Sequence, residues 1–327
     1  DYGRVLHDHA VFGAQAEGKL NAEYTETCAE FPTEDREKYC LAKPRYWISD
    51  WYTTPPPDDK LVISVRIPLR HVGLGLMLAV DRDELVALSS RTYPAFGITP
   101  KLQWMNERGV WEIGVGGHKA QHSDLTVELG FWSNLGITNR SFPNNQAEGQ
   151  PQVTADDGIE ISDADMADVD FYLQTLGVPA RRNVDDPVVR RGQQMFEKAG
   201  CHLCHTPTLH TARTPPNLID GTPMPMLAGQ TIHPYSDLLL HDMGPALGDD
   251  FSQFQASGHE WRTTPLWGIG LQNVVNGHTH FLHDGRARNL VEAILWHGQE
   301  EGAVSTEIFR NMEKSDRDAL MAFVMSL

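Results

Sequence analysis

Residues 199–207 read AGCHLCHTP, and the arrangement of Cys201, Cys204 and His205 constrains this chain more than any other feature in it. Two thiols three apart, with a histidine directly after the second, suit covalent attachment of haem. The sulfurs add to the two vinyl groups and the next imidazole ligates the iron. A thioredoxin-type redox pair shares C-x-x-C, but its first cysteine opens a helix, where the positive helix end lowers the thiol pKa. Here a helix ends at the motif instead. DDPVVRRGQQMFEKAG reads as an amphipathic helix with Val188, Val189, Gly192, Met195 and Phe196 near one face, stopped by Gly200. Zinc would want a second ligand pair, and the two remaining cysteines lie far upstream.

The C-terminal stretch SDRDALMAFVMSL reads as a second helix, with Ser315 as N-cap and Leu320, Phe323, Val324 and Leu327 facing inward. A small c-type cytochrome crosses its first helix over its last, and Gly192 and Phe196 are residues such a close crossing needs. Residues 181–327 therefore look like a haem c domain. PLRHVGL at 68–74 echoes PLWGIGL at 265–271, and ISDADMADVDFYLQTLG at 161–177 echoes KSDRDALMAFVMSL at 314–327. Two echoes in the same order suggest a tandem duplication. The expected fold is mainly α and loop-rich, as two cytochrome-c-like lobes, 1–180 and 181–327. The first lobe would carry an insertion around NERGVWEIGVGGHKAQH with a short β element. The offset from Cys201 to Pro265, applied to Pro68, falls at Arg4, where no C-x-x-C-H stands. Two readings stay open: the first lobe has lost its haem, or a second haem is bound by residues upstream of Asp1.

The formal charge of −17 disfavours nucleic acid and anionic membranes, and it suits either a redox partner with a basic face or plain solubility. No apolar run reaches the length of a transmembrane segment, and GLGLMLAV, the nearest, stops at Asp81. The start DYGRVLHDHA has neither an initiating Met nor a leader, so the chain reads as mature, processed or incompletely represented. Cys28 and Cys40 suit a disulfide in an oxidising compartment, with two free thiols as the alternative. Haem c assembly agrees with a periplasmic or otherwise exported protein.

HPYSDLLLHDMGPALGDD at 233–250, EWRTTPLWGIGL at 260–271, GHTHFLHDGRARNLVEAILWHG at 277–298 and CHLCH together resemble the bacterial dihaem oxidoreductases. That family is also called predicted thiol oxidoreductases, and it is related to dihaem cytochrome c peroxidases and to the dihaem enzyme that matures methylamine dehydrogenase. KPRYWISDW, RIPLRHVGLGLMLAV and HKAQHSDLTVELGFWSNLGIT are similar to the stretch between the family's two haem motifs. The first of those motifs is absent here. The resemblance implies a c-type cytochrome oxidoreductase that passes electrons through bound haem, peroxidase-like when a second haem is present. It also brings calcium into view, although no loop shows a recognisable ligand pattern.

In the relatives the segment after HDG supplies the distal ligand, and His297 occupies that place here. Its spacing from Val291 and Ile294 puts it on the inner side of a short helix. Iron ligation and a structural hydrogen bond to a carbonyl are its two readings, and Met243 is the alternative ligand. Arg262 suits a haem propionate. Trp261, Trp267 and Trp296 are candidate haem walls, and His283 with Asp284 and Arg286 reads as a polar cluster near haem. His202 is expected to face solvent, as are His71, His118 and His122, although His118 would approach an upstream haem if one exists. Two other functions compete. A non-enzymatic electron-transfer or assembly subunit would turn over nothing, and a thiol–disulfide enzyme would need Cys201 and Cys204 as free thiols.

Overall fold

The computed structural model describes residues 5–10, 12–52, 54–106, 109–125, 137–141, 143 and 158–327. Part of HKAQHSDLTVELGFWSNLGIT, residues 126–136, lies outside the described residues. Near the N-terminus two strands of 12 residues, β1 (Lys19–Glu30) and β2 (Lys38–Ser49), pair as an antiparallel hairpin. Tyr24, Thr25, Thr27, Tyr46, Trp47 and Ile48 suit a pleated, half-buried surface. Cys28 faces Cys40 in the register, and the two sulfurs are joined as a disulfide.

The hairpin is fastened to the C-terminal half. Phe31 is 1% exposed and shares a core with Phe196, Phe309, Leu320 and Phe323. The Arg317 guanidinium lies 3.8 Å from the centre of the Phe31 ring and pairs with Asp35 and Glu37. The amide of Ala42 donates to the buried carboxylate of Glu292 at 2.6 Å.

After the hairpin come α1 (Leu74–Leu78), α2 (Arg82–Ser89), the paired β3 (Trp104–Met105) and β4 (Glu112–Ile113), and α3 (Asp163–Gln174). Then α4 (Pro187–Lys198) leads into β5 (Leu209–His210), which pairs with β6 (Thr231–Ile232). The next pair is β7 (Leu240–Asp242) and β8 (Glu260–Arg262), with the short α5 (Gly244–Leu247) between them. The chain closes with α6 (Gln272–Asn276), α7 (Leu290–Trp296), α8 (Ala303–Arg310) and α9 (Lys314–Ser326). A second core gathers Leu74, Leu78, Leu85 and Val115 with Leu209, Leu238 and Trp267. Both cores draw on chain from either side of residue 180.

Helix α4 has the ends its sequence predicts. The Asp186 carboxylate accepts the amide of Val188 at 2.7 Å, and Pro187 sits in the first turn, where a missing N–H is not needed. Gly200, at φ 80°, turns the chain out of the helix. Helix α9 begins two residues earlier than expected, with Glu313 at its cap, so Ser315 falls inside the first turn. The two helices cross where Gly192 meets Ala319. A β-carbon on Gly192 would lie 1.8 Å from the Ala319 carbonyl oxygen. Gly192→Val is therefore expected to destabilise the fold by about 3 kcal/mol, the upper end of ordinary overpacking, read as a lowered urea midpoint. An unchanged midpoint would disprove so tight a crossing.

The expectation of a mainly α fold in two cytochrome-like lobes is overturned. Helix takes 31% and strand 17%, and the strands among the described residues form four two-stranded antiparallel sheets. The two echoes share a local device rather than a lobe. Gly75 lies against the Gln174 carbonyl at the end of α3, and Gly270 against the Met325 carbonyl near the end of α9. Yet α3 packs on the five-residue α1, whereas α9 packs on the 12-residue α4. Where a second lobe would place its first helix, the chain spends its length on the hairpin.

Candidate haem site

Beyond Gly200, residues Cys201–Leu203 form a single 3₁₀ turn that leads directly to Cys204 and His205. The two cysteines are reduced and line one cavity of about 280 Å³. Burial pushes the Cys201 thiol up to about 12, with neighbouring Cys204 adding to the shift, and burial also raises Cys204. Both sulfurs are therefore protonated at neutral pH, the opposite of the low-pKa thiolate a thiol–disulfide enzyme needs.

His205 and His297 reach the same cavity from opposite parts of the sequence. His205 Nδ1 donates to the Tyr235 carbonyl at 2.9 Å. Asn289 caps α7 by accepting the Glu292 amide at 2.9 Å, and at the helix's other end His297 Nδ1 donates to the Ala293 carbonyl at 2.7 Å. A carbonyl only accepts, so each Nδ1 carries the proton and each Nε2 keeps its lone pair. Burial lowers both pKa values, His205 to about 4, so both rings are neutral. A metal-binding imidazole has this arrangement, with its second nitrogen tied to a carbonyl.

Met243, Arg262 and His283 line the cavity too, among apolar residues such as Leu247, Ile269, Phe281 and Leu320. Trp261 also lines it, stacked on His283 with ring centres 3.8 Å apart and with Lys119 Nζ 4.0 Å from its ring. Lys119 is 0% exposed and is held by the carbonyls of Ser257, Gly258 and Glu260 and by Asp249. Trp267 is placed elsewhere: it packs in the second core, its ring against Gly73, and lines a smaller neighbouring cavity. Trp296 is core as well, under the Arg286 guanidinium. Asp284 and Arg286 pair with each other behind the wall, and Asp284 also accepts the Tyr46 hydroxyl at 3.1 Å. His71 is exposed, while His122 is buried and His118 lines the cavity, its Nε2 donating to the Ile67 carbonyl at 2.9 Å.

Sequence reasoning missed two features. Arg70 lines the cavity, and its Nε is buried with no partner among the described residues. The other is a charged triad beside Cys204. His241 lies between Asp237 Oδ2 at 2.9 Å and Glu301 Oε2 at 2.6 Å, and its Nδ1 is 3.4 Å from the Cys204 sulfur. Burial alone would lower the His241 pKa, but the Asp237 carboxylate and Cys204 raise it well above the ordinary value. The i, i+4 spacing in SDLLLHD was the available signal for Asp237 and His241. For Arg70 it was a cation in the middle of an apolar run.

These residues fit a haem: two protonated thiols, two neutral imidazoles whose Nε2 has no partner among the described residues, and a half-buried guanidinium that no described carboxylate pairs. The family model described as di-haem oxidoreductase, putative peroxidase, matches residues 53–327. The chain belongs to that family. No curated protein and no solved structure matches it. Membership supports a peroxidase-like oxidoreductase role, and the di-haem family implies a haem cofactor. The match begins after the hairpin, so β1 and β2 lie outside it. Among the described residues no helix is long and apolar enough to cross a membrane.

Proposed function

We propose that this di-haem oxidoreductase carries one haem c, joined to Cys201 and Cys204 and ligated by Nε2 of His205 and of His297, and that this centre conducts electrons for a peroxidase-like reaction. The observation that carries the reading is the meeting of both thiols and both imidazoles in one apolar cavity, each Nδ1 already spent on a carbonyl. Bound haem supplies the one-electron chemistry. The chain orients the imidazoles, keeps the sulfurs as un-ionised thiols until they are joined, and excludes water from the pocket. His205 and His297 would hold the iron between them, which would suit electron transfer and leave peroxide to the family's other haem. Met243 is the competing ligand, since it lines the same cavity. The disulfide and the haem-attachment motif support an extracytoplasmic location, and the acidic surface supports a redox partner with a basic face.

The test is a pyridine haemochrome assay coupled to intact mass. One haem per chain, with Cys201 and Cys204 refractory to alkylation, is expected. Two alkylated cysteines and no haem would sink the reading. His297→Ala is expected to convert the ferric spectrum from low spin to high spin, with added imidazole restoring it. If Met243 is the ligand instead, Met243→Ala makes that change and His297→Ala does not. A closed site also favours a subunit that transfers electrons and turns over nothing. Rapid peroxide consumption by fully haem-loaded protein excludes that alternative.

A further inference from the structure

We propose that the half-buried Arg70 and the buried Arg262 form a clamp that receives the propionate carboxylates of the haem. This rests on the haem reading above and adds the edge of the cofactor opposite the thioethers.

Arg70 donates through Nη1 to Gln272 Oε1 at 3.1 Å and through Nη2 to the Pro265 carbonyl at 2.8 Å. Its Nε is buried without a partner, and no carboxylate pairs with it among the described residues. Burial lowers its pKa only to about 10, so the guanidinium is charged at neutral pH. Arg70 as a whole is half-buried, and a cation so placed without a counter-ion is destabilising, though less than a fully buried one. Arg70 lines the haem cavity, so an anion arriving there removes the cost.

Arg262 faces the same two cavities as Arg70 and is 4% exposed. Its Nε donates to the Gly117 carbonyl at 2.6 Å and Nη1 to the Thr263 carbonyl at 3.3 Å, which fixes the fork from behind. The buried carboxylates nearby already have cations of their own. Asp249 is held by Arg66 and Lys119, Asp284 by Arg286, and Asp237 and Glu301 by His241. None of them pairs with Arg70.

Haem carries its two propionates on the edge away from its vinyl groups. Joining the vinyl edge to Cys201 and Cys204 therefore sends two carboxylates to the far side of the pocket, and a guanidinium fork matches a carboxylate in shape and charge.

The experiment uses the haem-loaded protein, with haem counted first. A wild type without covalent haem refutes the site reading itself and is scored separately from the clamp. With equal loading, Arg70→Gln is expected to displace the propionate-bending band in the resonance Raman spectrum. It is also expected to shift the reduction potential negative, because a nearby cation favours the reduced haem and has been removed. Arg70→Lys returns the charge without the fork, so the potential recovers partway while the band stays displaced. A merely structural arginine would not move the Raman band. An unmoved band and potential in loaded Arg70→Gln overturns the clamp. If that variant does not accumulate, Arg70→Lys decides, and a band identical to the wild type refutes the proposal.

Discussion

Replacing Cys201 and Cys204 together by alanine is expected to remove all haem that survives acid extraction and denaturing electrophoresis. The two sulfurs have no competing covalent bond in the fold: neither is in a disulfide, and burial keeps both protonated. Each single alanine variant keeps one thiol and so one thioether, leaving the haem covalently held but with a shifted haemochrome band. Loss of a small sulfhydryl from a partly buried site destabilises by about 1 kcal/mol, so the double variant still folds. Under the proposed ligation, its His205 and His297 are expected to hold added haem, now extractable. Covalent haem in the double variant would end the assignment of the motif.

The second large effect is on stability against pH. Burial pushes His118 down to about 3 and His122 and His283 to about 4, so all three are neutral in the fold. In the unfolded chain they titrate near the ordinary value of about 6.5. Between these limits the unfolded state binds protons that the folded state refuses. The contribution of these three histidines is thus full above about pH 6.5 and falls as the pH drops toward 4. The slope per histidine is about 1.4 kcal/mol for each pH unit. His241 works with the opposite sign, its raised pKa adding stability that fades above pH 6.5, so it does not mask the acid limb. The lowered carboxylates of Asp249 and Asp284 act only below the ordinary carboxylate range. Urea midpoints between pH 7 and 4.5 check this. A flat profile would mean that these histidines are charged or solvated in the folded protein.

Local chemistry made part of this molecule readable in advance. The Asp-Pro start, the Gly200 stop and the apolar face of α4 depend on neighbouring residues only, and so does the order of thiols and imidazole after it. Gly192 announced a close crossing because nothing larger fits 1.8 Å from a carbonyl oxygen. The family resemblance led to His297, which no local pattern singles out. The hairpin was missed although its tyrosines, threonines and paired cysteines suit strands, because short echoes elsewhere were given the weight of a second lobe. Trp267 was placed at the haem by proximity to a motif, whereas the second core takes its ring. Arg70 and the Asp237–His241–Glu301 triad depend on long-range contacts, 202 residues apart for Arg70 and Gln272 and 60 for His241 and Glu301. Spacing along the chain cannot show such pairs.

The clasp between Ala42 and Glu292 joins the hairpin to the helix that ends at His297. If His297 ligates the haem iron as proposed, closing the Cys28–Cys40 bridge and filling that coordination position draw on one shared equilibrium. Thermodynamic reciprocity requires that whatever the bridge contributes to holding the ligand, the ligated metal returns to the bridge. Under that proposed ligation, the hairpin outside the family match bears on the ligand from a distance.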